Sequence, residues 1–212
     1  MQAATVHDAI VAFTVFVCGW ALMAVEILGG RMLSPYFGAD IYVWGSVIGV
    51  FMLALSSGYF LGGMLSKRIV SLHAFMALPA ASGVWVAALP FWYRPLSLSL
   101  FDAGPRMGPL LASAALFLVP SVVLGMVSPY AIRLTARSVS TVGLRSGTLY
   151  AISTVGSFGG CITTAFWLIG FLGLRSILFV CGGSLCGVAF LGWMVGWISE
   201  SRGDLQKNDR TV

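Results

Sequence analysis

The chain has 212 residues, of which 58% are hydrophobic and only 9% are charged, and its mean hydropathy is +0.95. Soluble domains contain about 25% charged residues, so this composition excludes an ordinary soluble domain. The formal net charge of +5 does not indicate nucleic-acid binding, because the chain has no soluble basic domain and no basic patch interleaved with aromatic residues. We therefore expect no nucleic-acid partner.

Six apolar stretches follow one another along the chain, and each is long enough for a membrane-spanning helix, which needs about 20 residues. Runs of this length do not fit the roughly 10-residue alternating strands of an outer-membrane barrel. The sequence therefore predicts an all-α integral membrane protein. Its six predicted helices cover residues 9–30, 41–65, 70–92, 109–131, 147–170 and 174–198.

The first predicted helix contains Glu26 in an otherwise apolar segment. A charged side chain in the bilayer costs about 2.5 to 3.5 kcal/mol on insertion scales, so this carboxylate is expected to face protein, water or a ligand. Arg31 lies five residues later, about 140° around the helix, so an ion pair within the helix would be strained. A partner on another helix is favoured, and the candidates are Ser128, Tyr130, Tyr150, Ser153 and Thr154.

Two interpretations of Glu26 stay open. It binds a ligand or a proton, or it is a structural carboxylate held by a hydroxyl, an amide or Arg31. If a ligand binds there, the negative charge favours a cation or a proton-coupled step. The residues expected along a substrate or proton pathway are Glu26, Arg31, Tyr36, Ser128, Tyr130 and Tyr150.

Glycines recur at four-residue spacing in the second and fifth predicted helices. Small residues at this spacing let neighbouring helices approach closely, which drives association where lipid provides no hydrophobic force. The pattern predicts packing within the bundle, with a seam between two copies of the chain as the alternative. The predicted packing glycines are Gly45, Gly49, Gly58, Gly62, Gly156 and Gly160.

Two segments suggest an internal repeat. The sequence Met-x-Ser-Pro-Tyr occurs at residues 32–36 and again at 126–130, 94 residues later, and four glycines of helix two align with four of helix five at an offset of 98. Two repeats of three helices follow, at about 1–92 and 93–199, and because three is odd they enter the membrane from opposite sides. Residues 200–212 are expected to form a polar cytoplasmic tail.

The basic residues predict the orientation. Eight of the twelve Lys and Arg residues fall on one side of the six-helix arrangement and four on the other. The larger group marks the cytoplasmic side, so both termini are expected in the cytoplasm, with the bacterial cytoplasmic membrane as the location.

Neither a metal site nor a catalytic site is predicted. The four cysteines lie in apolar stretches, where a thiol behaves as a small hydrophobe, and the two histidines have no second ligand at helical spacing. The chain shows no nucleophile paired with a base and no cofactor-binding loop. We therefore expect no cofactor, and an enzyme acting alone is the weakest hypothesis.

Several of these motifs resemble the membrane-embedded N-terminal part of the fused spermidine synthase-like proteins, which is similar to half of a major facilitator transporter. The matching residues are Glu26, Gly30, Arg31, Pro35, Phe37 and Gly38, then Ser128 to Leu134, and then Gly147, Tyr150, Ala151, Ser153, Thr154, Gly156 and Ser157. The fused proteins carry an aminopropyltransferase-like domain after the membrane part. Here only a short polar stretch follows the sixth predicted helix.

The resemblance and the predicted fold lead to two hypotheses. The first is a carrier of a small, cationic, polyamine-like solute, built like half a transporter and completed by a second copy. The alternative is a membrane anchor or accessory subunit of a separately encoded aminopropyltransferase-like enzyme or of a larger membrane complex. The expected partners are thus membrane lipids together with a second copy, a membrane complex or such a soluble enzyme.

Overall fold

Six long helices account for nearly all of the computed structural model, which describes the backbone of residues 2–136 and 139–208 and the side chains of residues 6–136 and 141–198. A short 3₁₀ turn, Phe101–Ala103, precedes the fourth helix, and the fifth continues through a π-helical segment, Thr164–Leu168, and a last turn, Ile169–Phe171. The helices are α1 (Gln2–Phe37), α2 (Ile41–Arg68), α3 (Leu72–Ser99), α4 (Gly104–Thr135), α5 (Val139–Thr163) and α6 (Leu174–Asn208).

All six helices are long and apolar enough to cross a membrane. The predicted all-α class is therefore confirmed, and the six candidate spans agree with the apolar composition. The candidate spans are longer than the predicted helices at most of their ends. They cover Val6–Phe37, Ile41–Arg68, Leu72–Ser99, Phe101–Thr135, Thr141–Phe171 and Leu174–Ile198.

Two predicted boundaries fall within helices of the structure. The division between repeats at residues 92 and 93 falls inside α3, which continues to Ser99. The chain leaves the helix only at Leu100. The expected tail at 200–212 begins as a continuation of α6 to Asn208, and residues 209–212 lie outside the described part.

The turn between α1 and α2 explains the Pro-x-Phe-Gly motif. Gly38 has a φ of +89°, which a glycine adopts without strain, and its amide bonds to the carbonyl of Ser34 at 3.0 Å. Asp40 then caps α2, its carboxylate accepting from the amides of Tyr42 (3.0 Å) and Val43 (3.4 Å). Glycine and aspartate thus end one helix and begin the next within three residues.

The closest helix pairs are not neighbours in sequence. α1 packs along α5, α2 along α4, and α3 along α6, while α3 also contacts α4 and α1 contacts α6. α2 and α5 bury the smallest share of their apolar stretches and lie at the outside of the bundle.

A proline in α4 leaves one backbone carbonyl without its helical donor, and a side chain of α3 donates a hydrogen bond to it. Pro120 has no amide hydrogen, so the carbonyl of Leu116, one turn earlier, loses its helical donor. The indole Nε1–H of Trp85 on α3 donates to that oxygen at 3.0 Å. In a membrane an unsatisfied carbonyl costs several kcal/mol, so this bond stabilises the contact between α3 and α4.

We predict that Trp85→Phe lowers the free energy of unfolding, because it removes this donor and part of the buried ring. A second substitution, Pro120→Ala, restores a backbone amide that can donate to the carbonyl of Leu116. In the Pro120→Ala background the cost of Trp85→Phe should therefore fall by about 0.5 to 1.5 kcal/mol, the net contribution of one such bond. Denaturant titration of the protein in detergent micelles measures all four members of the cycle.

Pro129→Ala is the matched background, since Pro129 lies on the same helix and leaves Leu116 unchanged. Trp85→Phe should cost as much there as in the parent protein. Equal costs in all three backgrounds would show that the indole bond does not serve the Leu116 carbonyl.

Candidate functional site

A cavity lies where α1, α2, α4 and α5 meet. Its volume is about 30 Å³, which is room for about one water molecule. α1 and α4 contribute most of its walls. The lining residues are Val15, Cys18, Gly19, Leu22, Leu55, Tyr59, Leu124, Gly125, Val127, Ser128 and Ser153.

One wall is the contact between α1 and α5, which we name the α1–α5 seam. Gly156 lies against the backbone of Phe16, and Gly160 lies against the backbone of Trp20. Gly19 faces Ser153 from the opposite side, so a side chain at any of the three glycines would collide with the facing backbone. The Trp20 indole also donates to the hydroxyl of Thr163 at 2.9 Å, which extends the seam towards the π-helical segment.

The other wall is the contact between α2 and α4, the α2–α4 seam. Gly58 lies against the carbonyl of Val122. A Cβ atom on Gly62 would come within 2.6 Å of the Cα atom of Met126, and one on Gly125 within 3.2 Å of the carbonyl of Leu55. Both seams are therefore backbone-to-backbone contacts that only glycine permits.

Four of the six predicted packing glycines lie in these seams: Gly58, Gly62, Gly156 and Gly160. The other two, Gly45 and Gly49, have no atom within 4 Å of where a Cβ would lie, and they face outwards on α2. Their spacing is the same, but they lie nearer the start of α2, where no helix in the described part of the chain covers them.

Hydroxyl groups supply the polar part of the cavity. In the described part of the chain the side chains of Tyr59, Ser128 and Ser153 make no hydrogen bond to another residue. Ser157, next to the cavity, donates to the carbonyl of Gly19 at 3.3 Å. The cavity can therefore offer hydroxyl donors and acceptors to a water molecule or a small polar group.

Glu26 lies on the stripe of α1 that lines the cavity. It follows Leu22 by one turn, about 6 Å along the axis, and is within about 20° of Val15 and Gly19 around the helix. One turn further, Gly30 lies against the ring of Trp44 on α2. Glu26 is half-buried between these two levels.

The carboxylate of Glu26 has no hydrogen bond or ion pair to any residue with a described side chain. None of the five partners expected from the sequence bonds to it. Ser128 and Ser153 line the neighbouring cavity, Thr154 donates to the carbonyl of Tyr150 at 2.8 Å, and Tyr130 is bonded elsewhere.

Tyr130 has a structural role in this conformation. It is fully buried, and its hydroxyl donates to the carbonyl of Ile69 at 2.8 Å and accepts from the amide of Ser71 at 3.4 Å. Its ring packs 5.7 Å from that of Phe75. Tyr130 therefore ties α4 to the connection between α2 and α3.

Three more residues of the expected pathway do not line the cavity. Arg31 is exposed, Tyr36 is half-buried beside Phe37 at the end of α1, and Tyr150 is 49% exposed. Of the six pathway residues, Ser128 lines the cavity and Glu26 lies one turn from it.

Sequence reasoning missed Cys18, Gly19, Tyr59 and Gly125 as cavity residues. Gly19 and Gly125 have no glycine four residues away, so a search for paired glycines passes over them. It also missed the ion pair between Arg145 and Asp8, whose atoms Nη1 and Oδ2 are 2.7 Å apart, because the two residues are 137 positions apart and carry no local signal.

No known family, curated protein or solved structure matches this chain. The resemblance to the membrane part of the spermidine synthase-like proteins therefore stays a prediction from the motifs.

We predict that Gly58→Ala and Gly156→Ala each destabilise the fold by about 1 to 3 kcal/mol, the usual cost of overpacking a tight contact. Gly45→Ala and Gly143→Ala are matched controls on the same two helices, where a Cβ meets open space. These should be neutral or stabilising by up to about 1 kcal/mol, since alanine favours a helix more than glycine does. Thermal unfolding in detergent measures the four variants, and equal shifts for both pairs would contradict the seams.

Proposed function

We propose that this protein is a membrane carrier in which two inverted three-helix repeats enclose a small polar site. The observation that supports the proposal is that each main contact of α1 with the second half of the chain has a counterpart made by α4 with the first half. α1 packs on α5 as α4 packs on α2, and α1 contacts α6 as α4 contacts α3. These relations are the ones that a twofold axis exchanging α1–α3 with α4–α6 produces.

The seams support the exchange residue by residue. Gly58 and Gly156 are 98 positions apart, as are Gly62 and Gly160. The two glycines of each pair make equivalent contacts, one with the backbone of α4 and the other with the backbone of α1. Their contact partners Phe16 and Val122 are 106 positions apart, and Trp20 and Met126 share that separation. The expected offset of 98 for α2 and α5 thus fits the packing, whereas the offset of 94 for α1 and α4 does not.

The cavity lies where such an axis would pass. Gly19 and Gly125, again 106 positions apart, both line it, and so do Leu22 and Ser128 at the same separation. Leu55 and Ser153, 98 positions apart, complete the set. Substrate sites of inverted-repeat transporters lie near the midplane at the repeat interface, which is the position of this cavity.

The size of the cavity bears on the solute. Room for about one water molecule fits a closed state, in which one ammonium group but not a whole polyamine is accommodated. Transport of a polyamine-like cation would then need the α1–α5 pair to separate from the α2–α4 pair. Glu26 supplies the negative charge beside the opening that this separation would create.

The proposed orientation has both termini in the cytoplasm of a bacterial cell. Among residues with described side chains, Asp8, Lys67, Arg68, Arg133 and Arg145 belong to helix ends on that side. The cationic excess comes from Arg137, Arg202, Lys207 and Arg210, whose side chains lie outside the described residues.

We predict that the protein in liposomes takes up radiolabelled spermidine or putrescine faster than protein-free liposomes do. Glu26→Gln should lower the initial rate about tenfold or more, because a charged hydrogen bond contributes about 1.5 to 3 kcal/mol. Glu26→Asp keeps the charge and should retain transport.

Asp102→Asn is the matched control, since it removes an exposed carboxylate in the α3–α4 connection and should leave the rate unchanged. Full transport by Glu26→Gln would remove Glu26 from the pathway. Failure to move either cation, inward or outward and with or without a proton gradient, would contradict the carrier itself.

A second candidate, the membrane subunit of a larger assembly, is favoured by the outward glycines. Gly45 and Gly49 on α2 and Gly143 and Gly147 on α5 face open space on the two least buried helices. Small residues on such a face allow another transmembrane helix to approach closely.

We predict that, if the subunit hypothesis holds, native mass spectrometry of the protein in native-membrane nanodiscs finds a larger complex, and that Gly49→Leu disrupts it by keeping the partner helix away. Gly183→Leu, an equally open position on α6, should leave the complex intact. A single chain alone in the parent protein would contradict the subunit hypothesis and leave the carrier standing.

A further inference from the structure

A second cavity lies at the end of the bundle where α1 begins, α4 ends and α5 begins, and we name it the vestibule. Its volume is about 330 Å³, within the range of ligand pockets. The helices α1, α4 and α5 line both the vestibule and the small cavity where α1, α2, α4 and α5 meet, which we name the central cavity. The residues that line the vestibule are Asp8, Ala12, Thr135, Leu144, Arg145, Thr148, Leu149 and Ile152.

We propose that the vestibule is the cytoplasmic entrance to the central cavity, and that the solute passes from one to the other along the cleft enclosed by α1, α4 and α5. The proposal rests on the carrier function, and it adds the route by which the site is reached from the cytoplasm. It also assigns a role to Val15 and Leu149, which close this route in the present conformation.

One stripe of α1 runs from the vestibule to Glu26. Asp8 and Glu26 are 18 residues apart, which is five full turns, so they share one direction around the helix and lie about 27 Å apart along its axis. Ala12 of the vestibule and Val15 and Gly19 of the central cavity fall within about 40° of that direction. The two cavities and Glu26 therefore follow one another along a single face of α1.

The other two helices show the same succession. On α5, Ile152 lines the vestibule and the next residue, Ser153, lines the central cavity. On α4, Thr135 of the vestibule and Ser128 of the central cavity are seven residues apart, which is about two turns and a difference of about 20° around the helix. The cavities are thus successive spaces in one cleft.

Buried side chains separate the two cavities. Gly19 faces Ser153 in the α1–α5 seam, and Val15 and Leu149 each lie one turn before these residues. Because α1 and α5 run in the same direction, Val15 and Leu149 are at the same level. They are only 1% and 6% exposed, and the fully buried Ala131 of α4 lies between Ser128 and Thr135. Smaller side chains at Val15 or Leu149 should therefore join the two spaces.

The polar groups of the vestibule are already bonded, as expected of a passage. Thr135 and Thr148 donate to carbonyls of their own helices at 3.0 and 2.9 Å. Arg145 bonds to Asp8 at 2.7 Å, which holds α1 and α5 together beyond the seam. The hydroxyls of the central cavity make no such bonds within the described residues, so a polar solute is retained there rather than in the vestibule. Opening to the cytoplasm then needs the end of α4 to move away from the joined α1 and α5.

Cys18 provides the probe, because it lines the central cavity and is only 4% exposed. The full-length protein in membrane vesicles is treated with a membrane-impermeant methanethiosulfonate, and peptide mass spectrometry gives the rate of modification of each cysteine separately. Cys161 and Cys186, which are half-buried and line neither cavity, report any general loosening of the bundle. Vesicles of both orientations are compared, and Val6→Cys, at an exposed position, marks the face where α1 begins.

Val15→Ala and Leu149→Ala should each raise the rate of modification at Cys18 about tenfold, and only when the reagent is on the face where α1 begins. Val11→Ala is the matched control, since Val11 is also fully buried on α1 but lines neither cavity. It should leave the rate at Cys18 unchanged.

Ala12→Leu fills the vestibule and leaves the lining of the central cavity intact. Combined with Leu149→Ala, it should return the rate at Cys18 to the parent value. Ala9→Leu, the same change at an exposed position of α1, should not slow the reaction.

Modification of Cys18 equally from both faces, or only from the face where α1 ends, would overturn the route. A fast rate that survives Ala12→Leu, or no acceleration by either alanine variant, would overturn it as well. Transport by the parent protein together with any of these results would leave the carrier without this route. The expected pattern at Cys18 without any cation transport would contradict the carrier and leave the access path standing.

Discussion

The approach of two backbones without intervening side chains is the constraint on which the rest of the bundle depends. Lipid tails are as apolar as leucine, so helices in a membrane associate through contact rather than through the hydrophobic effect. Here the glycines of α2 and α5 bring each helix against the backbone of its partner, α4 or α1. The two seams set the positions of four helices, and the space left between them is the cavity.

Polar groups complete what the glycines begin. Three tryptophan indoles donate across helix boundaries: Trp20 to Thr163, Trp85 to the carbonyl of Leu116, and Trp193 to the carbonyl of His73. Each bond joins a different pair of helices, namely α1 with α5, α3 with α4, and α6 with α3. Directional bonds thus fix the register of helices that apolar surfaces alone would leave free to slide. Glu26 is the exception, a charged group placed beside the cavity with no described partner.

Hydropathy was sufficient for the class and for all six helices, because each span is decided by its own residues. The cavity was not predictable in the same way, since its lining residues on α1, such as Cys18, and on α5, such as Ser153, come together only through pairing of helices that are distant in sequence. The repeated Met-x-Ser-Pro-Tyr segment, from which the offset of 94 between α1 and α4 was predicted, lies in two different surroundings. Its second tyrosine, Tyr130, is fully buried and bonded to Ile69, whereas the first, Tyr36, lies half-buried at a helix end. Identical letters occupy different environments there.

The pairing of α1 with α5, α2 with α4 and α3 with α6 has a consequence for biogenesis. Helices enter the bilayer in chain order, so the first three arrive with few of their close partners present. α2 makes its main contact only after α4 is present, and α1 only after α5 is present. Such long-range pairing raises the contact order, which slows folding and prolongs the time for which the unpaired surfaces of α1 and α2 are open to chaperones or to wrong partners.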